Sequence, residues 1–199
     1  MTLTVYEVSS TRSDRVLWAL QELGVDYESR NDRSLFGSDE LKAVHPQGKL
    51  PAITDDGRPL FESAAICTWL ADKHADKGLS FASGTWERAL HDQWTAFVLS
   101  ELEAHLWIHA RNAIIYEKED RLEAVFVQAD KEAVASLAVL DTHLSANDYM
   151  VAGHFSVTDI ITGFATNWAQ STGLTSNAPH VEAYNARLRE RSHCPLDNA

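Results

Sequence analysis

An α/β domain followed by an all-helical bundle is the architecture predicted for this 199-residue chain, and two observations predict it. As far as residue 76, short apolar or alternating runs interleave with short helical patterns and turn residues. From residue 85 onward only the helical period is found. The boundaries expected are therefore 1–76 for the α/β domain, 77–84 for a polar linker holding Gly78 and Gly84, and 85–199 for the all-α domain.

Leu3 to Val8 alternates as a strand should, and Ser9-Ser10-Thr11 ends it. Arg12 to Leu23 reads as a helix with Val16, Leu20 and Leu23 on one face, closed by Gly24. Val25 to Arg30 reads as a second strand and Ser38 to Val44 as a short helix ended before His45-Pro46. Pro51 to Thr54 is an apolar strand, Asp55-Asp56-Gly57 a hairpin turn, and Arg58 to Phe61 the return strand. Ser63 then opens a helix with Ile66, Trp69 and Leu70 on its apolar face, ending near Lys73-His74. The order β-α-β-α-β-β-α is that of a thioredoxin-like domain.

In the second half, Trp86, Leu90, Trp94, Phe97, Val98, Leu102, His105 and Leu106 step by three and four along one long helix. Leu122, Phe126, Ala129, Ala133, Leu137, Leu140 and Leu144 trace another, which suggests an antiparallel pair in a bundle. Ser156 and Asp159 form an aspartate variant of the capping box, with Phe155 and Ile160 as its hydrophobic staple. Pro179 stands near the first position of a last helix with Val181, Tyr184 and Leu188 inward.

Chemistry concentrates in His45-Pro46-Gln47-Gly48-Lys49-Leu50-Pro51 and in Glu62-Ser63. A proline at a strand start, if its bond is cis, turns the preceding Leu50 N–H and C=O away from the ladder. Those groups could pair with a peptide-like ligand as an added strand would. The first turn of the helix at Ser63 offers N–H donors and a positive dipole end to a carboxylate, and Lys49 adds a cation nearby. Recognition of a small peptide bearing carboxylates is the chemistry implied.

Seventeen Lys and Arg against 29 Asp and Glu give a net charge of −12, which argues against nucleic acid or an anionic membrane surface as a partner. No apolar run approaches the roughly 20 residues that span a bilayer, and the first ten residues lack a secretory signal pattern. Cys67 and Cys194 are the only cysteines, so a reducing, cytoplasmic setting with unbridged thiols is expected.

Gly48-Lys49-Leu50-Pro51 followed by Glu62-Ser63 resembles the glutathione-binding half of the glutathione S-transferases, closest to the theta-, zeta- and beta-like bacterial and fungal branches. The Ser156–Asp159 box resembles the one that opens a buried helix in the all-α domain of that family. The resemblance implies a thioredoxin-like N-terminal domain followed by an all-helical bundle domain, a cis Pro51, Leu50 backbone on the cysteinyl unit, and Glu62 with Ser63 on the γ-glutamyl end. It also implies glutathione as co-substrate with no metal, a small hydrophobic electrophile as second substrate, and a homodimer.

In that family the glutathione sulfur attacks an electrophile. An unperturbed thiol with a pKa of about 8.5 is only ~3% thiolate at pH 7, and lowering it to about 6.5 is roughly a 25-fold gain. A hydroxyl donating to the sulfur can supply that shift. Ser9, Ser10, Thr11 and Ser13 are the candidates. Arg15-Val16 resembles the R-V of the zeta pattern S-S-C-S-W-R-V, and counting back places Ser10 on the catalytic serine, with Thr11 and Ser9 as alternatives. A plain N-cap role competes for the same residues. Tyr6 lies too early in its strand to be a tyrosine of the alpha, mu or pi kind. Trp107, Asn112 and Tyr116 could line a second-substrate pocket or be ordinary surface or core. His105 and His109 have a metal-compatible spacing but no third ligand is found at a recognisable distance, and Cys67 reads as a buried hydrophobe.

The expected activity is that of a glutathione S-transferase, with glutathione-dependent peroxide or disulfide reduction as a side activity. The alternatives are a non-catalytic glutathione-fold binding or regulatory protein and a glutathione-dependent isomerase.

Overall fold

A computed structural model describes residues 3–196. The chain divides into two compact units, Met1–Ala82 and Ser83–Ala199.

The first unit runs β1 (Leu3–Glu7), α1 (Ser13–Leu23), β2 (Glu28–Asn31), a 3₁₀ turn (Arg33–Leu35), α2 (Asp39–Val44), β3 (Ala52–Asp55), β4 (Arg58–Phe61) and α3 (Ser63–Lys73). The sheet order is β2-β1-β3-β4, with β1 and β2 parallel and the other pairs antiparallel. This is the thioredoxin-like arrangement. Neighbouring residues on a strand face opposite ways. The cross-strand pair Val5 and Ile53 is therefore on one face, with its neighbours Tyr6 and Ala52 on the other. Tyr6 and Ala52 join Val8, Leu35, Leu41 and Leu50 in a cluster under α2. α1 and α3 pack on each other and bury Val16, Leu20, Leu23, Ile66 and Leu70.

Local signals set these boundaries. Gly24 ends α1 at φ 67° and ψ 38°, the left-handed region a helix end uses. Asp56 and Gly57 both take positive φ (48° and 78°), the two-residue type I′ turn that an Asp-Gly pair favours, with Asp55 opposite Arg58. The buried Asp55 carboxylate takes Lys73 Nζ at 2.9 Å and Arg58 at 3.4 Å, tying the end of α3 to the hairpin. Trp69 is only half-buried and lies under Lys73, 4.6 Å from its ring centre, rather than in the core. β2 starts at Glu28, later than its sequence suggests, and all four residues are exposed.

Gly48 must be glycine for two reasons. Its φ is +58°, and a Cβ there would come within 2.9 Å of the Gly37 Cα, where the two backbones lie side by side. Gly48→Ala should cost about 1–3 kcal/mol, measured by urea denaturation, because the strained dihedral and the displaced Gly37 loop add.

The second unit is helical: α4 (Trp86–Phe97), α5 (Ala104–Ala110), α6 (Ala124–Leu144), α7 (Val157–Ser171) and α8 (Pro179–Arg189). The single long helix expected over α4 and α5 is instead interrupted by two π-helical segments, Val98–Glu103 and Arg111–Ile115. Each wider turn rotates the residues beyond it about the helix axis, so one α period cannot hold across the whole stretch. Trp86, the first residue of α4, is 74% exposed rather than inward, and Leu122, expected on the buried face of α6, precedes that helix and is 63% exposed.

α7 is buried along most of its length. Its capping box forms as its sequence suggests, with Phe155 and Ile160 buried on either side. The Asp159 carboxylate accepts from Met150 N (2.8 Å), Ser156 N (2.9 Å) and Tyr184 OH (2.9 Å), with the Ser156 hydroxyl at 3.2 Å. Burial pushes this carboxyl up to about 6, against the pull of those donors. Gly163 lets Leu188 of α8 lie directly on α7, and Val181, Tyr184 and Leu188 all face inward. Asp141 of α6 accepts from His180 N (2.7 Å) and Val181 N (3.1 Å), capping α8 from a neighbouring helix.

Candidate active site

Register brings the predicted site residues of the first unit to one end of its sheet, where β1 and β4 finish and β3 begins. β3 begins pairing at Ala52, opposite Tyr6 on one side and Phe61 on the other. Leu50 and Pro51 therefore stand just before that ladder, Ser9 to Thr11 come after the end of β1, and Glu62 and Ser63 come after the end of β4. The Leu50–Pro51 bond is cis. Leu50 is buried in the cluster under α2, whereas Lys49 is exposed.

Glu62 precedes α3 at φ 72° and ψ 109°, a conformation outside the usual range of an L-residue, and its side chain does not cap the helix. Ser63 is buried at the first helical position, and that turn holds no acidic residue to neutralise the positive helix end. Arg15 of α1, itself fully buried, donates from Nη1 to the Ser63 Oγ at 3.2 Å. This end of the sheet suits an anionic, peptide-like ligand.

The four hydroxyls between β1 and α1 separate into two pairs. Thr11 Oγ1 donates to the Val8 carbonyl (2.6 Å), accepts from Ser13 N (3.1 Å) and lies 2.9 Å from the Ser13 hydroxyl. Ser13 Oγ in turn accepts from Val8 N at 3.2 Å. These two close the turn into α1, whose N-cap is Arg12 with no side-chain cap bond. Ser9 and Ser10 are exposed. Ser10 takes φ 62°, and its N–H is pinned to Asp14 Oδ2 at 3.0 Å.

Cys67 lies one turn beyond Ser63 and is wholly buried. Burial drives its thiol up to about 12, outweighing the opposing pull of the Arg15 charge, so it stays protonated at neutral pH and is inert. Neither Cys67 nor Cys194 is in a disulfide.

The remaining sequence candidates fall in the second unit. Trp107 sits edge-on to Trp168 with ring centres 6.5 Å apart, and Arg111 lies over both Trp107 and Tyr116. Asn112 is buried and structural in its contacts: its Nδ2 donates to Ile108 O (3.0 Å) and its Oδ1 accepts from Leu122 N (2.9 Å), bracing the turn after the second π segment. His109 pairs with Asp130 at 2.7 Å and stacks on Phe126. Among the described residues there is no cluster of three or more His, Cys, Asp or Glu able to hold a metal ion, and no helix is long and apolar enough to cross a membrane.

Comparison with known proteins agrees with this fold. Residues 9–73 match the glutathione S-transferase N-terminal domain, and residues 91–192 match the C-terminal domain. The chain belongs to the glutathione S-transferase family. Glutathione S-transferase F13 of Arabidopsis thaliana is 30% identical over 185 residues, covering 85% of this chain and 82% of that protein. Elongation factor 1-gamma 2 of Oryza sativa subsp. japonica is 32% identical over 158 residues, 73% of this chain. The chain spans only 35% of that factor's length and 43% of its Arabidopsis counterpart's. The glutathione-bound theta class transferase of Xanthomonas axonopodis pv. citri superposes with a TM-score of 0.82 at 25% identity, covering 100% of this chain and 98% of that one.

Proposed function

We propose that this chain is a glutathione transferase that binds glutathione at this end of the sheet of its first unit and presents the thiolate to a small hydrophobic electrophile. The observation that carries the reading is the convergence at that end of Leu50, of Ser63 at the mouth of α3, and of two exposed serines. Leu50 backbone would pair with the cysteinyl unit as an added strand does. Ser63, Glu62 and the first turn of α3 would hold the γ-glutamyl end, with Lys49 as an outer cation. Ser10, or Ser9 beside it, would donate to the sulfur and favour its charged form. Thr11 is the weaker candidate because its hydroxyl already closes the α1 turn. A homodimer in the cytoplasm, without a metal, belongs to the same reading.

Similarity to the elongation factor 1-gamma chains favours a second reading, a glutathione-fold binding module without turnover. One experiment separates them. A ligand held only by the folded protein at 100 times its Kd adds about 2.7 kcal/mol, a rise in Tm of roughly 5–10 °C. That rise, accompanied by conjugation of an activated aryl halide, is the expected result. A rise without turnover, or no rise at all with millimolar glutathione, overturns the transferase reading in favour of the binding module.

A further inference from the structure

Arg15 is the one feature of this end of the sheet that its sequence role does not explain. It lies on α1, fully buried, yet its guanidinium reaches across to α3 and meets the Ser63 hydroxyl. The direction of that hydrogen bond is forced. A guanidinium has donors only, so Ser63 must receive with an oxygen lone pair, and its single proton is turned elsewhere. Arginine also keeps its charge at any pH a protein survives, and a charge set in low-dielectric surroundings acts further than one in water. Its field already reaches along α3, because it opposes the upward push of burial on the Cys67 thiol one turn on. In a chain of net charge −12, a fixed cation behind the first turn of α3 is what an anionic ligand needs.

We propose that Arg15 is a positioning residue for the carboxylate end of bound glutathione: it holds Ser63 with its proton directed outward and places a permanent positive charge behind the mouth of α3. This rests on the glutathione reading above. Arg15 itself does not touch the ligand; it acts through the Ser63 oxygen and through the field.

The test is glutathione binding by calorimetry on the full chain, in a cycle of Arg15→Gln, Arg15→Lys, Ser63→Ala and the two double variants. Arg15→Gln, which keeps an N–H donor but removes the charge, should weaken binding about 10- to 100-fold. Arg15→Lys should recover most of that loss, leaving a deficit of about 3- to 10-fold. In the Ser63→Ala background the Lys substitution should make no further difference, because the group it acted through is gone. At saturation the thiol pKa of bound glutathione should equal the parent's in every variant, since the sulfur end is untouched. If Arg15→Gln fails to fold, the Arg15→Lys arm of the cycle still decides. Parent-like binding by Arg15→Lys and Arg15→Gln, or losses that multiply in the Arg15→Lys/Ser63→Ala double variant, would overturn the proposal while leaving the glutathione reading intact. A parent that binds no glutathione overturns both.

Discussion

Asp159→Ala should lower the unfolding free energy by about 4 kcal/mol, a fall in Tm of roughly 8–16 °C, while the folded fraction keeps the parent's affinity for glutathione. The carboxylate organises buried donors from three places: Met150, Ser156 and Tyr184. Removing it leaves those donors buried without an acceptor, each at about 1–3 kcal/mol, and takes away the aspartate half of the capping box of α7. The effect should depend on pH in a defined direction. The folded carboxyl has been raised from its ordinary 3.8 to about 6, so between these values the folded protein holds a proton that the unfolded chain has released. This group's contribution is complete below pH about 4 and disappears as pH rises through about 6, a change of about 3 kcal/mol. The variant should lack that slope, so its deficit against the parent should be larger at pH 4 than at pH 7. Denaturation curves at the two pH values measure it. A variant as stable as the parent but unable to bind glutathione would contradict the assignment of Asp159 to folding.

Ser10→Ala should lower kcat about 10- to 100-fold with little change in the KM for glutathione. A hydrogen bond to a charged group contributes about 1.5–3 kcal/mol, and this one would matter only once the sulfur is ionised. The pKa of bound glutathione, measured by thiolate absorbance, should rise in the same variant. Ser63→Ala should do the opposite, raising KM and sparing kcat, because a carboxylate contact is equally present before and during reaction. Thr11→Ala should chiefly reduce stability, since its hydroxyl serves the Val8 carbonyl and the Ser13 N–H. If Ser9→Ala rather than Ser10→Ala loses turnover, the alignment on Arg15-Val16 is one residue off. If neither does, backbone N–H groups at the start of α1 are the better holders of the thiolate.

Punctuation residues make most of the fold legible. Gly24, Asp56-Gly57, the Ser156–Asp159 box and Pro179 each impose a local geometry that few backbones satisfy, and each stands where the structure uses it. β2 is poorly legible because it is an exposed edge strand with no apolar alternation to mark its start. The π segments are invisible in the sequence because their signal is a change of period within an amphipathic run, and any fixed-period reading averages over it. Within α4 itself the buried face carries His91, whose Nδ1 lies 2.8 Å from the Thr158 hydroxyl, and a pattern built on apolar residues alone passes over it and places Trp86 inward. In the sequence Arg15 serves only as a landmark for counting. Its burial has a signal, since it steps by four to Ala19 and Leu23 on the inner face of α1, but an arginine on that stripe is easily assigned to solvent. Asn112 shows the opposite difficulty: nothing in the sequence around it signals that both ends of its amide serve the turn after the second π segment.

Two of the non-glycine residues with positive φ, Ser10 and Glu62, are also two of the residues proposed to meet the ligand. Each such conformation costs on the order of 1–3 kcal/mol, and a glycine would relieve it. Natural selection and laboratory selection for thermostability would therefore pull these positions in opposite directions. A library screened only for heat resistance should accumulate glycine at 10 and 62, and the hardier proteins it yields should be the ones that have lost turnover through the first position or grip on the ligand through the second.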